Sequence, residues 1–370
     1  MQTSPWQGLD ELAEGSIGLS DPNPRVACRI VTLDGLVFEG HTQAAGQAHA
    51  EVMALRAAQA AGANLAGATV YVTLEPCSHH GRTPPCCEAL TAAGVVRVEV
   101  ALQDPNPLVA GQGLARLSAA GVQVNLLDAH HPVAQTHREL NIGFFNRMLR
   151  GKPWVRLKMA ASLDGTTALH NGQSQWITSE AARRDGHAWR KRAGALLTGI
   201  GTVLEDDPRL DVRLVETPVQ PVRVVVDSRL DMPPTARILQ EPGAAWIYTS
   251  AAASDKSVLL ANQGCTVVHC PATPSGKVDL NWLLQDLAQR GVNELHLEAG
   301  HKLNGSFLRE NLVDELLLYL APKLLGPGAG LAHIGPFDQL TQALNWVYTD
   351  IAQVGPDLRI LARKAGAAAG

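Results

Sequence analysis

The sequence predicts an α/β protein in which sheets are covered by helices. Three observations carry this. Short β-branched segments alternate with helix-forming segments along the chain, the pattern of a sheet with helices on its faces. Hydrophobic residues make up 46% of the 370 residues while aromatics are only 4%, so Ala, Val, Leu and Gly fill the cores. The alternation stops at Gly151-Lys152-Pro153 and then restarts, which divides a chain too long for one core into two domains.

In chain order, Val26–Val31 (VACRIV) reads as a buried strand, and Leu36–Glu39 as a second after the Asp34-Gly35 turn. AHAEVMALRAAQAAG is made of strong helix formers and closes at Gly62. A strand at Ala68–Leu74 stops at Glu75-Pro76-Cys77. After a loop, CCEALTAAG forms a helix closed by Gly94. A strand at Val95–Leu102, a helix near Gly113–Ala120 and a strand at Val122–Leu126 follow. One helix is expected to run from Pro132 into the linker at Gly151. No clear helix is read in the first residues. The resulting domains are 1–148 and 149–370.

The second half opens with a strand at Trp154–Ala160. The helix ITSEAARRDGHAWRKRAG has Ser179 or Thr178 as its N-cap. Strands are expected at Ala195–Thr198, Val222–Val226, Ala244–Tyr248, Thr266–His269 and Glu294–Glu298. HKLNGSFL opens a helix, LVDELLLYLAPKLLG ends in a strand, and the tail AGAAAG is read as disordered.

Charge and segment type bound the function. The formal net charge is −4 and there is no Lys/Arg run, which weighs against nucleic acid as a partner. No secretory signal pattern and no membrane span are read, so a cytoplasmic location is the expectation. The six cysteines do not suggest a disulfide framework, but Cys77, Cys86 and Cys87 cluster. Cys28, Cys265 and Cys270 read as core residues.

The cluster extends to His49 and Glu51. A catalytic zinc ion takes three protein ligands and leaves a fourth position for water, and His49, Cys77 and Cys86 fit that count. Glu51 stands where a carboxylate would shuttle the proton in hydrolytic deamination. A glutamate so placed argues against a closed structural site. The usual deaminase spacing is P-C-x-x-C, and here His80 occupies the second cysteine's place, so Cys77–His80 is a rival ligand pair. Cys86 is preferred because it opens a helix, where the dipole favours a thiolate. His49 and Glu51 can converge only if His49 sits at the irregular helix entry, since positions i and i+2 of a regular helix point apart.

HAE, TLEPCSHHGRTPPC and QDPNP, followed by KMAASLDG, SQWITS, TVLEDDPRL, VVVDS, EAG and LAPKLLG, resemble in order the bifunctional deaminase–reductases of riboflavin biosynthesis. The resemblance covers essentially the whole chain. It implies a cytidine-deaminase-like three-layer domain followed by a dihydrofolate-reductase-like domain. It also implies two reactions on a pyrimidine ribosyl phosphate: zinc-dependent loss of a ring amino group, then NADPH-dependent reduction of ribosyl to ribityl. A homo-oligomer is a further family expectation.

Residue by residue, the resemblance places NADPH at Ala160, Trp176, Thr202, Asp206, Ser228 and the run Gly300, His301, Lys302, Leu303, Asn304, Gly305 and Ser306. The strand–glycine–helix junction at Gly300 suits a pyrophosphate, while the absence of G-x-G-x-x-G disfavours a Rossmann domain. Ser228 and Arg229 would meet the 2′-phosphate. Ser174, Arg190, Leu210, Arg213 and Glu298 match substrate-contacting positions, and the two arginines suit a 5′-phosphate. Lys158 is a further polar contact. Thr166 stands where the family commonly has a basic residue.

Overall fold

The computed structural model describes residues 4–78 and 85–365, which form two compact units, Met1–Gly151 and Lys152–Gly370. His80 and the end of the AGAAAG tail lie outside the described residues.

The first unit contains α1 (Leu9–Glu14), β1 (Ala27–Val31), β2 (Val37–His41), α2 (Ala50–Ala60), β3 (Thr69–Val72), α3 (Cys86–Ala92), β4 (Arg97–Val100), α4 (Gln112–Ala119), β5 (Gln123–Leu126), α5 (Pro132–Leu140) and α6 (Ile142–Arg150). Its five-stranded sheet has the order β2-β1-β3-β4-β5. β1 pairs antiparallel with β2 and β3, and β3, β4 and β5 are parallel. Strand alternation assigns the faces. Cys28, Ile30, Val70 and Val72 point into the core shared with Ala50 and Ala54 of α2 and Leu90 of α3. Ala27 and Tyr71 point the other way, against Leu9 and Ala13 of α1.

Two expectations change here. α1 exists although no first helix was read; it is too short for a periodic signal and is held by burial of Leu9 and Ala13. The single helix expected from Pro132 is broken at Asn141. That side chain accepts the Arg25 N–H at 2.7 Å and donates to the Arg25 carbonyl at 2.9 Å, fastening the break to the start of β1.

The second unit contains β6 (Trp154–Ser162), β7 (Thr166–Leu169), α7 (Glu180–Arg192), β8 (Ala195–Gly199), α8 (Ile200–Asp206), β9 (Val222–Val226), α9 (Arg237–Gln240), β10 (Ala245–Thr249), α10 (Asp255–Asn262), β11 (Thr266–His269), α11 (Leu280–Gln289), β12 (Glu294–Leu297), α12 (His301–Arg309), β13 (Glu315–Ala321), β14 (Gly328–Gly330), β15 (Trp346–Val354) and β16 (Asp357–Lys364). The nine-stranded sheet runs β11-β10-β9-β8-β12-β6-β13-β16-β15. β11 through β13 are parallel, and the terminal hairpin β15–β16 adds antiparallel. Leu197, Val224 and Leu297 face one core and Leu196, Val225 and Ile247 the other, so helices cover both faces. Ser179 caps α7, accepting the Ala182 N–H at 3.3 Å.

Across β6, β12 and β13 lies a buried ion network. Arg156, 2% exposed, meets Glu294 at 2.8 Å and Glu315 at 2.5 Å and packs 4.4 Å over the Trp189 ring. Carboxylates on both sides meet its charge, as burial in a core requires.

Candidate functional site

In the first unit the two ends of the sequence signature meet. His49 is the N-cap of α2, with extended backbone at φ −76° and ψ 168°, so it and Glu51 escape the divergence of a regular helix. Gly40 allows this close approach: a Cβ there would lie 2.5 Å from the Ala50 carbonyl oxygen. Cys77 follows β3 and Cys86 opens α3. His49 Nδ1 lies 3.6 Å from Cys77 Sγ and 3.4 Å from Cys86 Sγ, and the Cys86 N–H reaches Cys77 Sγ at 3.3 Å. Cys87 turns away into the core.

The donor set fits zinc. A tetrahedral centre with Zn–S of about 2.3 Å and Zn–N of about 2.0–2.1 Å spaces its ligand atoms roughly 3.5–3.8 Å apart. The three donor atoms here all lie within 4.8 Å of one another. Two thiolates and one imidazole leave a fourth tetrahedral position, the arrangement of a catalytic rather than a closed site.

Without a metal, hydrogen bonding from Cys86, opposed by burial, lowers the Cys77 thiol, while Cys86, as the donor of that pair, is pushed up. Glu51 is 3% exposed, and burial together with the Cys77 charge pushes its carboxyl up to about 7.

One residue at this site had no role assigned from sequence. Glu75, 6% exposed, accepts backbone N–H groups from Asp104 at 3.1 Å, Gly111 at 2.9 Å, Gly113 at 2.8 Å and Leu114 at 3.4 Å. It anchors the segment carrying Cys77 to the QDPNP loop. Gly113 completes the fit, since a Cβ there would lie 2.0 Å from the Pro76 carbonyl oxygen.

In the second unit, most of the residues singled out lie at the C-terminal ends of four adjacent parallel strands, β9, β8, β12 and β6. Ligand crevices of open α/β sheets form there. Glu298 is the centre. Arg190 grips it through Nε at 2.6 Å and Nη2 at 2.9 Å, Lys158 Nζ stands 3.6 Å away, and His296 Nε2 lies 3.1 Å from it. Burial alone would raise the Glu298 carboxyl, but Arg190 and Lys158 hold it well below its usual range. Arg190 also donates to the Asp211 carbonyl at 2.8 Å, and Arg213 pairs with the Asp211 carboxylate at 2.5 Å. Leu210 beside them is buried with φ of +48°, a conformation that side-chain-bearing residues rarely adopt.

The cofactor positions divide. Gly300 and Thr202 face each other at the starts of α12 and α8: a Cβ on Gly300 would lie 3.8 Å from Thr202 Oγ1. Gly300 N-caps α12 without a side-chain cap, which leaves the His301 and Lys302 amides at the helix start, while the Leu303 N–H donates to the Gly300 carbonyl at 3.1 Å. Asn304 and Gly305 instead face the 331–333 segment; Asn304 donates to the Leu331 carbonyl at 3.1 Å, and a Cβ on Gly305 would lie 2.1 Å from the His333 carbonyl oxygen. Ser306 bonds back to Lys302 at 3.2 Å. Asp206 closes α8, its carboxyl raised by burial. Ser228 Oγ accepts the Val278 N–H at 3.1 Å, and Arg229 pairs with Asp231 at 2.9 Å.

Ser174 and Trp176 sit on the segment before α7. Ser174 is half-buried, and Trp176 is 60% exposed with the Arg183 guanidinium 4.4 Å from its ring centre. Lys323 fastens this segment, donating to the Trp176 and Ile177 carbonyls at 3.2 and 2.7 Å. Ala160 lies within β6, paired with Tyr319. Thr166 is buried and donates to the Gly326 carbonyl at 2.7 Å, which is packing work rather than anion binding.

Known proteins match this architecture along the whole chain. A family model for the cytidine and deoxycytidylate deaminase zinc-binding region matches residues 9–102, and one for the RibD C-terminal domain matches residues 153–360. The riboflavin biosynthesis protein RibD of Escherichia coli is 44% identical over 363 residues, covering 94% of this chain and 95% of the relative. That of Haemophilus influenzae is 42% identical over 369 residues, covering 96% and 95%. Among solved structures, Acinetobacter baumannii RibD superposes with a TM-score of 0.87 at 41% identity, covering 97% of this chain and 98% of that one. A diaminohydroxyphosphoribosylaminopyrimidine deaminase/5-amino-6-(5-phosphoribosylamino)uracil reductase from Thermotoga maritima superposes with a TM-score of 0.84 at 28% identity, covering 96% and 97%. The folds are accordingly cytidine-deaminase-like in the first unit and dihydrofolate-reductase-like in the second. The chain belongs to the RibD family, the bifunctional deaminase–reductases of riboflavin biosynthesis, with a zinc-binding deaminase domain ahead of its reductase domain.

Proposed function

We propose that residues 1–148 hydrolyse the ring amino group of the diaminohydroxyphosphoribosylaminopyrimidine and that residues 149–370 reduce the ribosyl group of the deaminated product with NADPH. The convergence of His49, Cys77 and Cys86 beside the buried Glu51 carries the first assignment. Zinc, when held by these three residues, supplies a water acidic enough to attack at neutral pH. Glu51 takes the proton from the attacking water and returns it to the leaving nitrogen. A C–O bond forms, the C–N bond breaks, and water is exchanged for ammonia.

The reductase assignment rests on the cluster at the strand ends. NADPH, when bound, supplies the hydride. The starts of α8 and α12, with Gly300, His301, Lys302, Leu303 and Thr202, hold the cofactor's phosphates, and Ala160, Trp176, Asp206 and Ser228 border the rest of it. Arg190 and Arg213 bind the substrate's 5′-phosphate, with Ser174, Leu210 and Glu298 positioning the ribosyl group. Lys158, Arg190 and Arg213 face Glu298 and Asp211, an excess of positive charge suited to an anion.

The chain works in the cytoplasm as a homo-oligomer. All six cysteines are free, as in a reducing compartment, and no described helix is long and apolar enough to cross a membrane. The edge strand β15 leaves Val347, Tyr348 and Ile351 53%, 66% and 57% exposed, and a second copy would cover them. Light scattering on Ile351→Lys should show a smaller species than the parent.

Ammonia release and NADPH oxidation followed in one sample test the assignment. Glu51→Gln should cut ammonia release by roughly 10²–10⁴-fold and leave reduction of the deaminated substrate intact. Loss of both activities in folded protein would mean that the two-site assignment is wrong.

A further inference from the structure

His187 has no role in the assignments above, yet it sits between the two arginines of the substrate site. It lies one turn before Arg190 on α7 and is 5% exposed. Its Nδ1 accepts the backbone N–H of Arg213 at 3.1 Å. A neutral imidazole that accepts at Nδ1 carries its proton on Nε2. Nε2 stands 3.4 Å from Arg190 Nη1, which is itself a donor and already serves the Asp211 carbonyl. The ring therefore presents an N–H beside a guanidinium N–H, and neither can accept from the other. An anionic oxygen seated between them would satisfy both. Burial, reinforced by Arg190 and Arg213 and opposed by Glu298 and Asp211, brings the His187 pKa down to about 3, so the ring stays neutral at working pH.

We propose that His187 is a substrate-binding residue of the reductase: Nδ1 holds the Arg213 backbone in place, and Nε2–H, beside Arg190, donates to the 5′-phosphate. The proposal rests on the assignment of Arg190 and Arg213 to that phosphate. It explains why a buried histidine is set where an apolar residue would fill the same space.

Two amides separate the roles of the nitrogens. Asn places its polar atoms near Nδ1, so His187→Asn keeps an acceptor for Arg213 and loses the Nε2 donor. Gln reaches the Nε2 position, so His187→Gln keeps the donor. KM is measured for the phosphorylated reductase substrate, for its dephosphorylated riboside and for NADPH. His187→Asn should raise KM for the phosphorylated substrate at least about tenfold, about 1.4 kcal/mol, and leave the other two constants unchanged. His187→Gln should recover most of that loss. Equal effects on the phosphorylated and dephosphorylated compounds would overturn the proposal. Arg213→Gln distinguishes the ways of failing. If it discriminates between the two compounds and His187→Asn does not, the histidine has no part in binding phosphate while the arginine assignment stands. If neither discriminates, the phosphate assignment falls and the proposal with it. Should His187→Asn not fold, ¹⁵N-histidine spectra of the parent decide: the His187 Nε2–H resonance must shift on saturation with the phosphorylated substrate and stay in place with the riboside. A resonance unmoved by either would overturn the proposal.

Discussion

Glu75→Gln is the most direct test of how the zinc ligands are held. The carboxylate is 6% exposed, and each oxygen accepts two backbone N–H groups, Oε1 from Gly113 and Leu114 and Oε2 from Asp104 and Gly111. Replacing one oxygen by an amino group turns that acceptor into a donor facing two donors. Whichever way the amide turns, two backbone N–H groups lose their partner. At roughly 1–3 kcal/mol for each buried donor left unmade, the cost is about 2–6 kcal/mol. That is a large share of the roughly 5–15 kcal/mol that stabilises a domain. The melting temperature of the deaminase domain should fall by at least about 4 °C, at roughly 2–4 °C per kcal/mol for a domain of this size. Because Glu75 precedes Pro76-Cys77, zinc affinity should fall about 10–100-fold, the usual effect of losing a group that orients a metal ligand. Calorimetry reads the melting and a competing chelator reads the affinity. The reductase activity serves as an internal control and should not change. A Glu75→Gln protein with the parent's melting temperature and zinc affinity would refute this account of the anchor.

Further outcomes follow from the same structure. Gly113→Ala should lower zinc affinity as Glu75→Gln does, because its Cβ would have to displace the Pro76 carbonyl oxygen from 2.0 Å; metal titration checks it. Arg156→Ala should destabilise the reductase domain by about 1.5–3 kcal/mol, the loss of its charged hydrogen bonds, because Arg192 and Arg363 still pair with Glu294 and Glu315 at 3.0 Å each; denaturant unfolding with NADPH oxidation as the probe measures it. His137 is 1% exposed, and burial brings its pKa down to about 4 from an ordinary 6.5. The folded state then binds fewer protons than the unfolded state between those values, so stability falls as pH drops from 6.5 towards 4, at up to about 1.4 kcal/mol per pH unit. His137→Leu should flatten that slope in melting curves of the deaminase domain.

Much of the protein is written locally. Most strands from Val26 to Leu126 and from Trp154 to Glu298 show as short apolar runs bounded by turn residues, and β11 spans the residues expected of it, whereas β7 was not read from the sequence. His49, Glu51, Cys77 and Cys86 are chemically conspicuous because few residue types can bind zinc or move its protons. Other features leave a weak local trace. The hairpin β15–β16 has no deeply buried face, so it lacks the strong alternation that marks a strand, and α1 is too short to show a period.

What the sequence alone determined is therefore the zinc chemistry of the first half, which residue type and spacing carry, while the reductase chemistry of the second half was legible only as a family resemblance. Only the tertiary structure decided which neutral-looking residues serve that chemistry. Glu75 takes its meaning from amides 29 to 39 positions away, His187 from an Arg213 N–H 26 positions away, and the Asn141 helix break from Arg25 across 116 positions. A hydrogen bond is defined by where its partner lies in space, and no local pattern of side chains encodes a partner that only folding brings near.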